Sequence, residues 1–402
     1  MNYYAIIPVL EKEVHFFSFD HSSYIVSQER YNFELNINKN TYLILQLVDG
    51  NKTLREISES YNQTNQENIT VDFLHRLLYD KLSKYGIIKN PSVEVKPKSR
   101  AGYLKLSKII IPENTVNKIS NHLTFLFNPL VLISFIALIS LSFLLLFGNY
   151  YDKIKLVAYN LSSLNYWYVA PLSFLALIIH ELGHASAAKY CGINSKGIGF
   201  GFYLITPILF TDITKAWRLN NKQRVKIDLG GVYFELIFTV LLISVFSINH
   251  NINLLATSLF LTVNTLHNLN PFFRTDGYWI LTDGLKIANL RRQSNERLRL
   301  LFRKTTREKR MPSSKKDWFL ITYSLISWSF IFVFIISNLL WNTNSIMYFP
   351  FTVYHSIVAI LHGKMNTLPP KMFSGMIIPF TFYFLFFRII VQRLKPRNKS
   401  EE

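Results

Sequence analysis

Long uncharged blocks dominate the chain and set the first expectations. Leu123–Tyr151 carries no charged side chain, and its centre, Leu130–Phe147, is almost entirely Leu, Ile, Val and Phe. A bilayer span needs about 20 such residues, so this block predicts a transmembrane helix. A second block runs from Tyr166 to Ile179 and passes directly into His180-Glu181-Leu182-Gly183-His184. Further blocks cover Gly230–Ile248, Ile252–Leu269, Trp318–Trp341 and Met372–Gln392. Tryptophans bracket the fifth, as expected at membrane interfaces. Arg388 interrupts the sixth, where a cation near a helix end can snorkel to the headgroups. Two shorter apolar stretches do not read as spans. Gly197–Thr211, with three glycines, a proline and β-branched and aromatic residues, predicts extended structure at membrane depth or the interface. Tyr348–Leu361 predicts a segment lying on or dipping into the surface.

The first ninety residues pattern differently. Val14–Asp20, Tyr24–Ser27 and Tyr31–Ile37 alternate as strands do. Asn40–Val48 reads as a short helix closed by Asp49-Gly50, and Thr53-Leu54-Arg55-Glu56 as a capping box opening the next. Thr70–Tyr85 places Val71, Leu74, Leu77, Leu78 and Leu82 on one helical face, with Gly86 as the stop. The fold class expected is therefore an α-helical polytopic membrane protein of about six spans, with a small N-terminal α+β winged-helix-like domain. The expected domains are that soluble domain over 1–90, a linker and juxtamembrane segment over 91–122 and a membrane core of four spans over 123–285. A basic loop over 286–317, two C-terminal spans over 318–392 and a tail over 393–402 complete the division.

Composition sharpens this picture. The 402 residues are 50% hydrophobic and only 17% charged, which excludes an ordinary soluble globular protein. The one cysteine, Cys191, excludes a disulfide framework and a multi-cysteine metal site. The net charge of +19 admits nucleic-acid binding or membrane topology. Residues 188–228 hold seven Lys/Arg, residues 282–317 twelve and residues 393–399 four, whereas the opposite loops hold Lys153, Lys155, Lys364 and Lys371. The positive-inside rule then puts both termini in the cytoplasm. Orientation and anionic-lipid contact account for the basic residues, so the bilayer, and no nucleic acid, is the expected partner.

His180-Glu181-Leu182-Gly183-His184 is an HExxH pattern. Residues four apart share a helix face about 5–6 Å apart, so both imidazoles can bind one Zn²⁺. Glu181 then stands where it can take a proton from a water that zinc acidifies to a pKa of about 7. Three ionisable groups at membrane depth without a function would be costly. A catalytic zinc needs a third protein ligand, for which the sequence offers Asp212, Glu235, His250, His267, Asp276 and Asp283. His250 is expected on the opposite side of the membrane, and Glu235, just inside a span, reads as structural. Asp276 has the best context, in Asn268-Leu269-Asn270-Pro271-Phe272-Phe273-Arg274-Thr275-Asp276-Gly277, at a span end on the same side as HELGH.

HELGH at one span end and Asn-x-x-Pro-x-x-x-x-Asp-Gly at a later one resemble the site-2 protease family of intramembrane zinc metallopeptidases, over about residues 160–285. Phe210-Thr211-Asp212 and Ala216-Trp217-Arg218-Leu219 look similar to bacterial peptide zinc metalloproteases. The resemblance implies one Zn²⁺ held by His180, His184 and Asp276, Glu181 as general base, and Asn268 as a catalytic and substrate-binding residue. Many regulatory members insert a PDZ domain between the two motifs, and the 84 positions from His184 to Asn268 leave room for none. Leu-x-x-Val-Asp-Gly-x-x-Thr-Leu-x-Glu-Ile at 45–57 and Phe-Leu-x-x-Leu-x-x-x-Leu-x-x-x-Gly-Ile-Ile at 73–88 resemble PqqD-like peptide-recognition domains. That resemblance implies a leader peptide added as a strand beside Tyr31–Ile37. The expected function is maturation of a ribosomally synthesised peptide by a zinc metalloendopeptidase of the bacterial cytoplasmic membrane. Cleavage of a transmembrane regulator, and a non-catalytic peptide transporter or immunity protein, are the alternatives.

Overall fold

The computed structural model describes residues 3–18, 23–31, 33–95, 97, 104–160, 164–203, 206–287, 289–302, 312, 314–341, 343–362, 379 and 383. It divides into two units, residues 1–288 and 289–402.

The first unit opens with three strands, β1 (Val14–Ser18), β2 (Ser23–Gln28) and β3 (Phe33–Asn38), paired antiparallel in that order. Three helices follow: α1 (Lys39–Gln46), α2 (Leu54–Asn65) and α3 (Val71–His75). The Thr53 capping box forms at α2, with Glu56 N–H donating to Thr53 Oγ1 at 3.3 Å and Thr53 N–H donating to Glu56 Oε2 at 2.7 Å. Beyond α3 the chain winds wider over Arg76–Leu82 and tightens over Ser83–Tyr85 before Gly86 ends it. Val26, Leu45, Leu54, Ile57, Leu74 and Leu78 close the core beneath the sheet, each fully buried.

Leu104–Pro112, within the stretch read as linker, is a strand, β4. The amphipathic helix α4 (Glu113–Leu123) follows, then α5 (Pro129–Asn149), the short α6 (Tyr151–Tyr159) and α7 (Tyr166–Tyr190). Gly197–Thr211 is extended as expected: β5 (Gly197–Tyr203) pairs with β4 on one side and with β6 (Thr206–Thr211) on the other. The sheet order β4-β5-β6 leaves β6 at an edge. α8 (Asn221–Asn249), α9 (Ile252–Asn268) and α10 (Asp276–Gly284) complete the unit. The most apolar window of α5 is 6% buried, whereas that of α8 is 61% buried. α5 is therefore peripheral and α8 is the central helix.

The second unit contains α11 (Leu290–Phe302), α12 (Lys315–Trp341) and α13 (Thr343–Leu361). Arg297 of α11 pairs with Asp317 of α12 at 2.9 Å. Tyr348–Leu361, expected to skirt the surface, lies within α13 and contains Pro350. Met372–Gln392 and the basic tail lie almost wholly outside the described residues.

Among the described residues, four helices are long and apolar enough to cross a membrane: α5, α7, α8 and residues 315–337 of α12. α9 corresponds to the block Ile252–Leu269, but its 17 residues extend only about 25 Å, short of a bilayer core of about 30 Å. The molecule is mostly helical, with two small sheets.

Candidate metal centre

The site begins with two glycines. A Cβ on Gly183 of α7 would stand 2.2 Å from the Gly230 carbonyl of α8, and one on Gly230 would stand 2.6 Å from the Gly183 carbonyl. Only hydrogen fits at either position, so the helices touch backbone to backbone, as small residues allow in membranes. That approach brings His184 Nδ1 within 2.8 Å of the Ile227 carbonyl oxygen. One turn earlier on α7, His180 Nδ1 lies 3.0 Å from Glu235 Oε2.

A carbonyl and a carboxylate oxygen only accept, so both Nδ1 atoms donate, which leaves the two Nε2 atoms as the positions from which the rings can bind a metal. The two Nε2 atoms face each other at 3.2 Å. Asp276 joins them, with Oδ2 2.9 Å from His180 Nε2 and Oδ1 3.5 Å from His184 Nε2. Two nitrogens and a carboxylate thus converge, within 4.8 Å of one another. An N, N, O set of this kind is one that zinc takes. Gly231 keeps the space open: its Cβ would lie 2.5 Å from both Nε2 atoms.

Asp276 comes from the turn after α9. Asn270 Oδ1 accepts from Phe272 N–H at 2.9 Å, and Thr275 Oγ1 donates to the Asn270 carbonyl at 3.1 Å. A Cβ on Gly277 would lie 2.1 Å from the Leu269 carbonyl, so the Asp-Gly pair lets α10 start directly against the end of α9. The far end of α10 is clamped to α8. Arg224 Nε pairs with the Asp283 carboxylate at 2.9 Å, and Asn221 Nδ2 donates to the Asp283 carbonyl at 2.8 Å. Burial pushes the Asp283 carboxyl up, partly offset by the Arg224 charge.

Glu181 is half-buried on α7. The Thr211 hydroxyl, at the end of β6, lies 2.7 Å from Glu181 Oε2 and 2.9 Å from its carbonyl oxygen. The β5–β6 hairpin is thereby tied to the HELGH turn.

The other sequence candidates fall away from the cluster. Asp212 accepts from Thr214 Oγ1 at 2.6 Å and caps a turn. His250 ends α8, nineteen residues and about 28 Å along the axis from Gly231. His267 stacks on Phe273, and Asp283 pairs with Arg224. Asn268 is the last residue of α9, half-buried. Glu235 is the instructive case. It supplies no atom to the cluster, yet it holds His180 from behind with one oxygen and accepts from Asn264 Nδ2 at 2.7 Å with the other. Sequence reading passed over Asn264 and Gly231, which belong to no motif, and Thr211 was legible only as part of Phe210-Thr211-Asp212, with no role attached.

Fold and site together define a helical membrane protein with a buried two-histidine, one-aspartate group suited to a metal. Comparison with known proteins points the same way. Over 214 residues, 49% of this chain and 79% of the relative, it is 28% identical to the Bacillus subtilis (strain 168) protein named "Putative peptide zinc metalloprotease protein YydH". No protein-family model matches the chain, and no solved structure matches it significantly.

Proposed function

We propose that this chain is a membrane-embedded zinc endopeptidase that cleaves a membrane-associated peptide. The observation that carries the reading is the convergence of His180 Nε2, His184 Nε2 and Asp276 Oδ2 within 4.8 Å of one another. In this reading those residues hold one zinc ion, which when bound supplies Lewis acidity to the scissile carbonyl and to water. Glu181 takes the proton of the attacking water and delivers it to the leaving amine. Thr211 holds the Glu181 carboxylate while it waits, and the hydroxyl retains the Glu181 carbonyl as a second acceptor when the carboxylate swings away. Asn268, one residue before the turn that delivers Asp276, offers an amide for the charge that develops on the substrate carbonyl.

A helix is a poor substrate because its backbone groups are already bonded to one another. The open edge of β6 gives an unwound segment a strand to pair with, beside Glu181. Docking of the N-terminal domain supports a peptide substrate. Arg218, between β6 and α8, donates to Glu29 and to Ser27 Oγ (2.7 Å), reaches Glu34 at 3.4 Å and lies 5.4 Å from the Phe17 ring. A domain that receives a leader peptide beside β3 would thus sit one short loop from the hairpin. Maturation of a ribosomally synthesised peptide follows, with both termini and the site on the cytoplasmic face of a six-span chain, as the basic loops favour.

Metal analysis of the full chain purified in detergent tests the site. One zinc per chain is expected, lost in both His184→Ala and Asp276→Ala; a wild type without metal, or an Asp276→Ala chain that keeps it, overturns the assignment.

A further inference from the structure

We infer that Glu235 and Asn264 are a positioning pair that sets the metal affinity of His180 and holds α9 in register with the site, an inference that rests on the metal centre proposed above. Glu235 lies in α8 with its side chain 1% exposed. Val232 and Phe238, about one turn to either side on the same helix, are buried apolar residues. A carboxylate in such a place is costly unless charge and hydrogen bonds compensate it. Here both oxygens are engaged. Oε2 takes the His180 Nδ1 proton at 3.0 Å and Oε1 takes an Asn264 amide proton at 2.7 Å. The compensating charge arrives through the imidazole, when a cation occupies the space on its Nε2 side. A negative group behind the ring makes Nε2 a stronger donor and fixes the ring plane, and removing such a partner typically costs about 10–100-fold in metal affinity.

The pair also joins three helices at one point: His180 on α7, Glu235 on α8 and Asn264 on α9. Asn264 and Asn268 are four apart and therefore share a face of α9. Anchoring the Asn264 amide on Glu235 sets the rotation of α9 for its last turn, where Asn268 lies and from which the chain turns to Asp276. The same carboxylate thus governs a metal ligand directly and the approach of the third ligand through α9.

A hydrogen-bonded knot with no role beyond packing would tolerate glutamine in place of Glu235. The amide keeps the shape of the carboxylate, and its carbonyl can still accept from His180 while the Asn264 amide flips. The test therefore measures zinc affinity of the full chain in detergent, by competition with a chromophoric chelator, and records the visible spectrum of the cobalt(II)-substituted protein. Glu235→Gln is expected to weaken zinc binding about 10–100-fold and to shift the cobalt bands. Glu235→Gln combined with Asn264→Asp returns a carboxylate to the pair and is expected to recover part of the loss. Asn264→Ala, which keeps Glu235, is expected to weaken zinc several-fold and serves if the glutamine variant does not fold. Zinc affinity and cobalt spectrum unchanged in both Glu235→Gln and Asn264→Ala overturn the inference, while His180→Ala still abolishes binding. A wild type that takes up no zinc overturns the metal centre along with it.

Discussion

Replacing Gly231 with alanine puts a methyl group in the space toward which His180 and His184 point. The added carbon would stand 2.5 Å from both Nε2 atoms and 2.8 Å from His180 Cδ2. Ordinary carbon–nitrogen contact is about 3.5 Å, so the clash is about 1 Å against two rings at once. Neither ring can yield freely. His180 is held behind by Glu235 at 3.0 Å, and His184 by the Ile227 carbonyl at 2.8 Å. Turning either ring away forfeits a buried hydrogen bond, about 1 kcal/mol net and more if the partner is left unsatisfied. Moving α8 instead opens the Gly183–Gly230 contact that brings Ile227 to His184. Overpacking of this kind costs about 1–3 kcal/mol of stability. The effect on zinc is larger, because zinc–nitrogen bonds of about 2.0–2.1 Å need the volume that the methyl occupies. The expected result is a folded chain, melting a few degrees lower, that holds no zinc at concentrations that saturate the wild type. Gly148→Ala is the control, since a Cβ there meets nothing within 4 Å. Metal content by mass spectrometry and thermal melting decide it. Stoichiometric zinc of wild-type affinity in Gly231→Ala would refute the reasoning.

The Thr211 hydroxyl gives a kinetic prediction: Thr211→Val lowers kcat about tenfold with zinc content and KM unchanged, and Thr211→Ser restores it, as one lost hydrogen bond of about 1.4 kcal/mol implies. A Thr211→Val chain of wild-type kcat contradicts it. Arg218→Gln is expected to release the N-terminal sheet, so that amide exchange over residues 27–34 speeds up while zinc is retained; unchanged exchange contradicts the docking. The same contact has a pH signature. Glu29 is held below its ordinary value chiefly by its hydrogen bond with Arg218, so its contribution to docking is present above about pH 4.3 and is lost as pH falls through its lowered value. Burial pushes Glu34 up, so Glu34 takes its proton first and that uptake favours the docked form. Docking is therefore expected to persist from pH 7 to about 5 and to give way only below about 4; exchange over β2 and β3 that rises between pH 7 and 5 would contradict this.

The parts of the fold legible from sequence are those whose signal is local. The five uncharged blocks that fall on described residues, the three alternating strands and the Thr53 capping box each need only neighbouring residues, and they appear in the structure. HELGH carries its own geometry because four residues make one helical turn. β4 is different. Its partner β5 begins 85 residues after β4 ends, so nothing in Leu104–Pro112 announced the pairing, and the stretch read as a linker. Glu235 was legible as a glutamate in a span but not as the partner of His180, because the α7–α8 contact that joins them depends on the absence of two Cβ atoms. Gly231 carries no sequence signal for the same reason: its function is an empty volume that three other residues define. Asp276 was separable from Asp212 and Asp283 only by its turn, and the structure adds what holds each of the others elsewhere.

The proposed proteolysis rests most directly on Glu181. The measurement is mass spectrometry of membrane-associated peptides from cells producing wild-type chain or Glu181→Gln, together with the zinc content of each purified protein. The account predicts equal zinc in the two chains, with an uncleaved peptide accumulating in Glu181→Gln and its fragments found only with wild type. Identical peptide pools at equal zinc content would contradict it.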